Sequence, residues 1–77
     1  MPRYLVETYT PVSREAEARA GFERIAAGGG PVHHLRVTFV PEDETCFHIV
    51  EGPSLAAVCE ALALAAVSYE RIVEAIE

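Results

Sequence analysis

The stretch VHHLRVTFVPEDETCFHIVE, residues 32–51, decides the fold because it predicts two antiparallel strands joined by a turn. Residues 32–40 and 45–51 are rich in β-branched and aromatic side chains, which favour strands. Residues 41–44 between them are proline and acidic residues of the kind found in turns. We therefore predict a β-hairpin at the centre of the chain.

One strand and one helix are predicted ahead of the hairpin. Residues 2–10 contain β-branched and aromatic side chains that favour a strand. Ser13 is the predicted N-cap of the following helix, and the glycine run at 28–30 ends that helix. Phe22 and Ile25 share one helical face, which predicts that they pack against the sheet.

A second helix and a last strand are predicted after the hairpin. Ser54 is the predicted cap of the second helix, and residues 71–77 form the predicted strand. The order βαββαβ predicts an α+β, ferredoxin-like fold with a four-stranded antiparallel sheet and both helices on one face. A chain of 77 residues has room for one such domain, covering residues 1–77.

Composition and charge exclude several classes of protein. The hydrophobic content of 51% argues against disorder, and the net charge of −6 argues against a surface for nucleic acid or anionic membrane. All six basic residues are arginine, so a Schiff-base or P-loop lysine is excluded. The remaining class is a compact acidic module without nucleic-acid or membrane partners.

The compartment is predicted from the N-terminus and the cysteines. The first residues lack the long apolar region of a signal peptide, and no apolar run approaches the roughly 18 residues of a membrane span. Two cysteines, Cys46 and Cys59, are too few for a disulfide framework. We predict a cytoplasmic protein with reduced thiols.

Alternation along the strands predicts which side chains face the helices. The most apolar sets are expected against the helices: Val6, Leu35, Val37, Phe39, Phe47, Ile49 and Val73. The opposite set mixes apolar and polar residues: Leu5, Glu7, Tyr9, His34, Arg36, Thr38, Cys46, His48, Val50, Ile72, Glu74 and Ile76. This second face is too apolar to remain in water without cost. A second copy of the sheet would cover it, so we predict a homodimeric α+β barrel.

Four side chains of that second face are predicted to bind a transition metal inside the barrel. Glu7, His34, Cys46 and His48 supply the carboxylate, imidazole and thiol groups that nickel, zinc or copper prefer. No short metal-binding motif supports the set. The alternative without a ligand is that the histidines form hydrogen bonds at the interface and that Arg36 forms a structural ion pair with Glu7 or Glu74 across the dimer.

Two further interpretations remain open. In the first, the barrel binds a small molecule or acts as a metal-free enzyme, with an organic acid oriented by the polar residues of the face. The ligand-pocket residues in that case include Tyr9, Arg36, Thr38 and Glu74. In the second, the chain is an interaction domain without a cavity. Catalytic patterns are otherwise missing, so no catalytic residue and no organic cofactor are predicted.

Four segments resemble the small bacterial DUF4242 family, which includes nickel-binding proteins. They are MPRYLVE at 1–7, PEDETCFH at 41–48, EGPS at 51–54 and ERIVEA at 70–75. The resemblance spans nearly the whole chain and implies a ferredoxin-like fold, a dimeric barrel, and metal binding inside it through sulfur and oxygen ligands.

Individual residues can also be compared with those that are usual in the family. Glu7 matches the usual acid of the family's first strand, and His48 stands where members commonly carry cysteine. The segment 65–69 lacks the Gly-Leu-Pro that members often show. The resemblance therefore implies a ligand set in which an imidazole replaces the family's thiol.

Overall fold

The computed structural model describes residues 1–28 and 30–77, and its elements follow the predicted order. The strands are β1 (Arg3–Tyr9), β2 (His33–Val40), β3 (Thr45–Glu51) and β4 (Arg71–Ala75), and the helices are α1 (Glu15–Ala27) and α2 (Leu55–Leu64). Neighbouring strands pair antiparallel in the order β2-β3-β1-β4. This arrangement confirms the predicted ferredoxin-like α+β fold.

Of the two predicted helix caps, Ser54 is confirmed and Ser13 is wrong. Ser54 caps α2, since its side-chain oxygen accepts a hydrogen bond from the backbone N–H of Ala57 at 3.1 Å. Ser13 does not cap α1. It lies inside a short 3-10 turn in which the Arg14 N–H donates to the Pro11 carbonyl at 2.8 Å, so α1 begins two residues later than Ser13.

The described helices are short. Neither α1, with 13 residues, nor α2, with 10, is long and apolar enough to cross a membrane.

The last strand is shorter than predicted. Strand β4 ends at Ala75, two residues before the predicted limit at residue 77.

The hydrophobic core lies between one face of the sheet and the two helices. Val6, Val50, Val58 and Leu62 are completely buried there, and Phe22 contributes from α1. Burying a large aliphatic side chain stabilises the folded state by about 1.5–3 kcal/mol, so this group supplies much of the stability of a small chain. Tyr4 also belongs to the core, although the sequence did not single it out.

The predicted faces of β3 and β4 are wrong. Val6 of β1 lies opposite His48 and Ile72, so His48 and Ile72 share the helix side with Val6. Phe47, Ile49 and Val73 therefore lie on the other side of the sheet. Phe47 and Ile49 were predicted to face the helices because they are the more apolar residues of β3. The helix side of β3 instead contains His48, whose imidazole is buried and hydrogen-bonded.

A β-bulge changes the faces of β2. His34 lies opposite Val50, but Arg36 lies opposite Ile49, so Leu35 is an extra residue in the strand. His34 consequently faces the helices, while Arg36 faces away from them. In a regular strand the two residues would share a face.

Candidate functional site

The sheet surface turned away from the helices is called the open face. The strand pairing places on it Arg3, Leu5, Glu7, Tyr9, His33, Arg36, Thr38, Val40, Thr45, Phe47, Ile49, Glu51, Arg71, Val73 and Ala75. Its centre is an apolar patch formed by Leu5, Phe47, Ile49 and Val73. No helix covers this patch in the part of the chain that the structure describes.

Polar side chains surround the apolar patch. Tyr9, Arg36 and Thr38, three of the four predicted ligand-pocket residues, share the open face with Glu7. The fourth, Glu74, lies opposite Tyr4 and so belongs to the other face. Within one chain the Arg36 guanidinium contacts the carboxylate of Glu77, and the ion pair of Arg36 with Glu7 or Glu74 across a dimer stays a prediction.

A second group of polar side chains lies on the helix side of the sheet. The Nδ1 atom of His48 and the Nε2 atom of His34 are 3.0 Å apart, and one ring N–H donates to the other ring. Thr8 Oγ1 lies 3.4 Å from His48 Nε2 and 3.2 Å from Thr10 Oγ1. The four side chains form one hydrogen-bonded chain, called here the histidine network.

Phe22 of α1 covers the histidine network. Its ring stacks on the ring of His48 with 3.6 Å between the ring centres and 8° between the ring planes. The ring of His34 lies at an angle to Phe22, with 4.7 Å between centres. His48 is only 2% exposed, so its hydrogen bonds to Thr8 and His34 compensate for the loss of water around the imidazole.

Burial sets the protonation of this network. Loss of solvent, together with a smaller effect of the neighbouring His34, lowers the pKa of His48 from 6.5 to about 4. Burial also lowers the pKa of His34, while a hydrogen bond to the backbone of Arg36 opposes that change. Both rings are therefore neutral at pH 7, which allows one to donate and the other to accept.

A pocket of about 260 Å³ adjoins the histidine network between α1 and the strands β2 and β3. Its lining is mostly apolar, with Phe22, Val37 and Phe39 beside His34 and His48. Cys46, 3% exposed, completes the inner wall, and charged residues of α1 stand at the pocket's edge: Glu15, Arg19 and Glu23.

The four predicted metal ligands do not meet at one site. His34, Cys46 and His48 lie on the helix side of the sheet, whereas Glu7 lies on the open face. Within residues 1–28 and 30–77, no three His, Cys, Asp or Glu side chains are grouped closely enough to hold a metal ion. Within one chain, therefore, the sheet separates Glu7 from the other three predicted ligands.

Two residues of the histidine network, Thr8 and Thr10, were not predicted as site residues. Val6 and Thr8 occupy alternate positions of β1, and Thr10 follows directly after the strand ends at Tyr9; all three are buried. Phe22 was expected to pack on the sheet, but its partner was not foreseen. The alternation of β1 was the available signal, because a buried threonine requires a hydrogen-bond partner nearby.

Comparisons with known proteins support the fold. The structure resembles the crystal structure of SCO4226 from Streptomyces coelicolor A3(2) with a TM-score of 0.71 and 18% sequence identity, over 95% of this chain and 94% of that one. No protein-family model matches the chain, and no curated protein matches it. Because the identity is low, the likeness establishes a shared fold, and the DUF4242 resemblance stays a hypothesis.

Proposed function

We propose that the chain is a cytoplasmic, homodimeric module that binds a small organic molecule between two facing sheets. The observation that carries this proposal is the composition of the open face, where the apolar patch adjoins Tyr9, Arg36 and Thr38. Ligand sites in proteins commonly combine such apolar surface with a few polar groups. Two open faces in contact would enclose a site of this kind.

A second copy of the chain is the occupant that best fits the open face. Leu5, Phe47 and Val73 are only partly buried in one protomer, and a chain of 77 residues gains considerably from covering them. The face also carries opposite charges, with Glu7 beside Arg71 on the neighbouring strand. A twofold axis lets such charges on one protomer meet their opposites on the partner.

Sedimentation of matched variants tests the dimer. Phe47→Glu places a carboxylate in the apolar patch, and Ala63→Glu places the same group on the exposed surface of α2. We expect the wild type and Ala63→Glu to sediment as dimers and Phe47→Glu as a monomer of 8.4 kDa. Equal behaviour of the two variants would remove the open face as the interface.

Native mass spectrometry tests the ligand. The untagged protein is purified from cells and transferred gently, and the mass of the dimer is compared with twice the chain mass. We expect an additional small organic mass that is lost when the sample is denatured. A dimer that carries no extra mass, and that fails to shift its melting temperature with organic acids, would contradict binding.

Transition-metal binding, with nickel as the family resemblance implies, is the second candidate function. It is favoured by one observation, namely that two neutral imidazoles, those of His34 and His48, approach within 3.0 Å of each other beside the thiol of Cys46. Imidazole nitrogen is a good ligand for nickel, and water would complete the coordination. Such a site would lie beneath α1 and outside the barrel.

Nickel titration of the untagged, chelator-treated protein separates this candidate from the first. We expect His48→Ala to reduce uptake strongly and His33→Ala, which changes an exposed histidine, to leave it unchanged. Equal uptake by the wild type and both variants would exclude the histidine network as the metal site.

A further inference from the structure

Two arginines on the open face hold the carboxylate of Glu77. Arg3 Nη1 donates to Glu77 Oε1 at 2.9 Å, and the guanidinium of Arg36 contacts Glu77 Oε2. Each carboxylate oxygen thus has its own guanidinium, the arrangement by which arginine recognises carboxylates through charge-assisted hydrogen bonds. Arg3 belongs to β1 and Arg36 to β2, so one carboxylate joins two strands that β3 separates.

The bridge between these arginines passes over an apolar floor. Arg36 lies opposite Ile49 of β3, and Ile49 lies opposite Leu5 of β1. Ile49 is only 8% exposed although it lies on the open face. The site therefore offers two cations beside aliphatic surface.

Charge is distributed unevenly over this acidic chain. It carries six basic residues against twelve acidic ones, yet three of the six arginines lie on the open face: Arg3, Arg36 and Arg71. Glu7 and Glu51 share that face, and Arg3 also lies 3.7 Å from Glu51. With Glu77 included, the open face is close to neutral while the rest of the chain is acidic, so a small anion is repelled less here than elsewhere on the protein.

We infer that Arg3 and Arg36 form a binding site for the carboxylate of a small apolar acid, and that Glu77 is an internal occupant which the ligand displaces. The inference rests on the proposed small-molecule function and names its ligand class. The side chains of Arg3 and Arg36 are 42% and 58% exposed, so their pairs with Glu77 are weak and exchange readily with an external carboxylate.

Benzoate is the probe, because it joins a carboxylate to an apolar ring. Its affinity is measured by NMR titration of isotopically labelled protein, and benzyl alcohol serves as the matched compound without a carboxylate. We expect Glu77→Gln to raise the affinity for benzoate by up to about tenfold, since it removes the internal competitor. Glu74→Gln, which removes the same charge from the opposite side of the sheet, should leave the affinity unchanged.

The arginines are tested in the same way. We expect Arg36→Gln to abolish benzoate binding in both the wild-type and the Glu77→Gln background, and Arg71→Gln to have little effect. An equal gain of affinity in Glu77→Gln and Glu74→Gln would overturn the inference, because net charge alone would then explain it. Equal binding of benzyl alcohol would overturn it as well.

Sedimentation of the same samples separates this inference from the proposed function. If benzoate binds with the expected variant pattern while the protein remains a monomer, the arginine site stands and the facing-sheet dimer fails. If the protein is a dimer and Arg36→Gln binds benzoate as the wild type does, the arginine site fails and the dimer stands.

Discussion

Acidification should weaken the fold through His48. Its pKa is about 4 in the folded chain and 6.5 as the ordinary value, so the unfolded chain takes up the proton first when the pH falls. The contribution of His48 to the free energy of unfolding is therefore constant above pH 6.5 and declines as the pH falls towards about 4. Because the ring is 2% exposed, little solvent remains to weaken this coupling.

The size of the effect follows from the two pKa values. At about 1.4 kcal/mol for each pH unit and proton, the window from 6.5 to about 4 corresponds to roughly 3 kcal/mol. Domains of ordinary size are stable by only about 5–15 kcal/mol, so a small chain would lose a large part of its stability. The lowered pKa of His34 acts in the same direction and adds to the loss.

Urea denaturation of the chelator-treated protein at a series of pH values measures this decline. The upper half of the window is the informative part, because carboxylates begin to protonate near pH ~4 and then contribute as well. We expect His48→Asn to flatten the dependence and His33→Asn, at an exposed position, to preserve it. NMR titration of the ring of His48 provides an independent reading should His48→Asn fold poorly.

Two results would refute the reasoning. One is a free energy of unfolding that stays constant or rises between pH 6.5 and the onset of carboxylate protonation. The other is a ring of His48 that titrates near its ordinary pKa of 6.5 in the folded protein. Either would mean that the histidine network is open to water.

Three substitutions test the packing, each by urea denaturation at pH 7. Leu62→Ala should lower the free energy of unfolding by about 2–5 kcal/mol because Leu62 is completely buried, and a loss below about 1 kcal/mol would contradict that placement. Ser54→Ala should cost about 1 kcal/mol by removing the cap of α2, whereas Ser68→Ala should cost much less. Ala66→Gly should stabilise the fold by about 1 kcal/mol because Ala66 has a φ of 57°, a left-handed conformation that glycine adopts without strain; a loss of stability would contradict it.

The sequence predicts the order and approximate limits of the elements because these depend on local signals. Ser54, the glycine run at 28–30 and the hairpin turn at 41–44 act on neighbouring residues alone, and Ser54 caps α2 as predicted. The start of α1 escaped prediction because Pro11 initiates a 3-10 turn that takes in Ser13. Gly29 lies outside the described residues.

The faces of the sheet depend on distant partners, and there the sequence misleads. Phe47 and Ile49 are more apolar than Cys46 and His48, yet the latter pair faces the helices. The free energy that decides this comes from Thr8, His34 and Phe22, which satisfy and cover the imidazole of His48 but lie far from it in the sequence. The apolar character of neighbouring residues cannot predict such partners, because they lie far away in the sequence.

The bulge in β2 has the same consequence for the site. Strict alternation groups His34 with Arg36, but the extra residue Leu35 sends these side chains to opposite faces. The bulge thus places His34 on the helix side, where the pairing of β3 with β1 already places Cys46 and His48, while Glu7 lies on the open face. Three of the four predicted ligand-pocket residues do lie together, since Tyr9 and Thr38 share the open face with Arg36.

Contacts between protomers test the central claim most directly. A sample mixed from labelled and unlabelled chains permits isotope-filtered NOE measurements, which detect only pairs of protons on different protomers. The facing-sheet dimer predicts such contacts from Phe47, Leu5 and Val73. Contacts that arise instead from the exposed Leu55 and Leu64 of α2, or none at all, would contradict it.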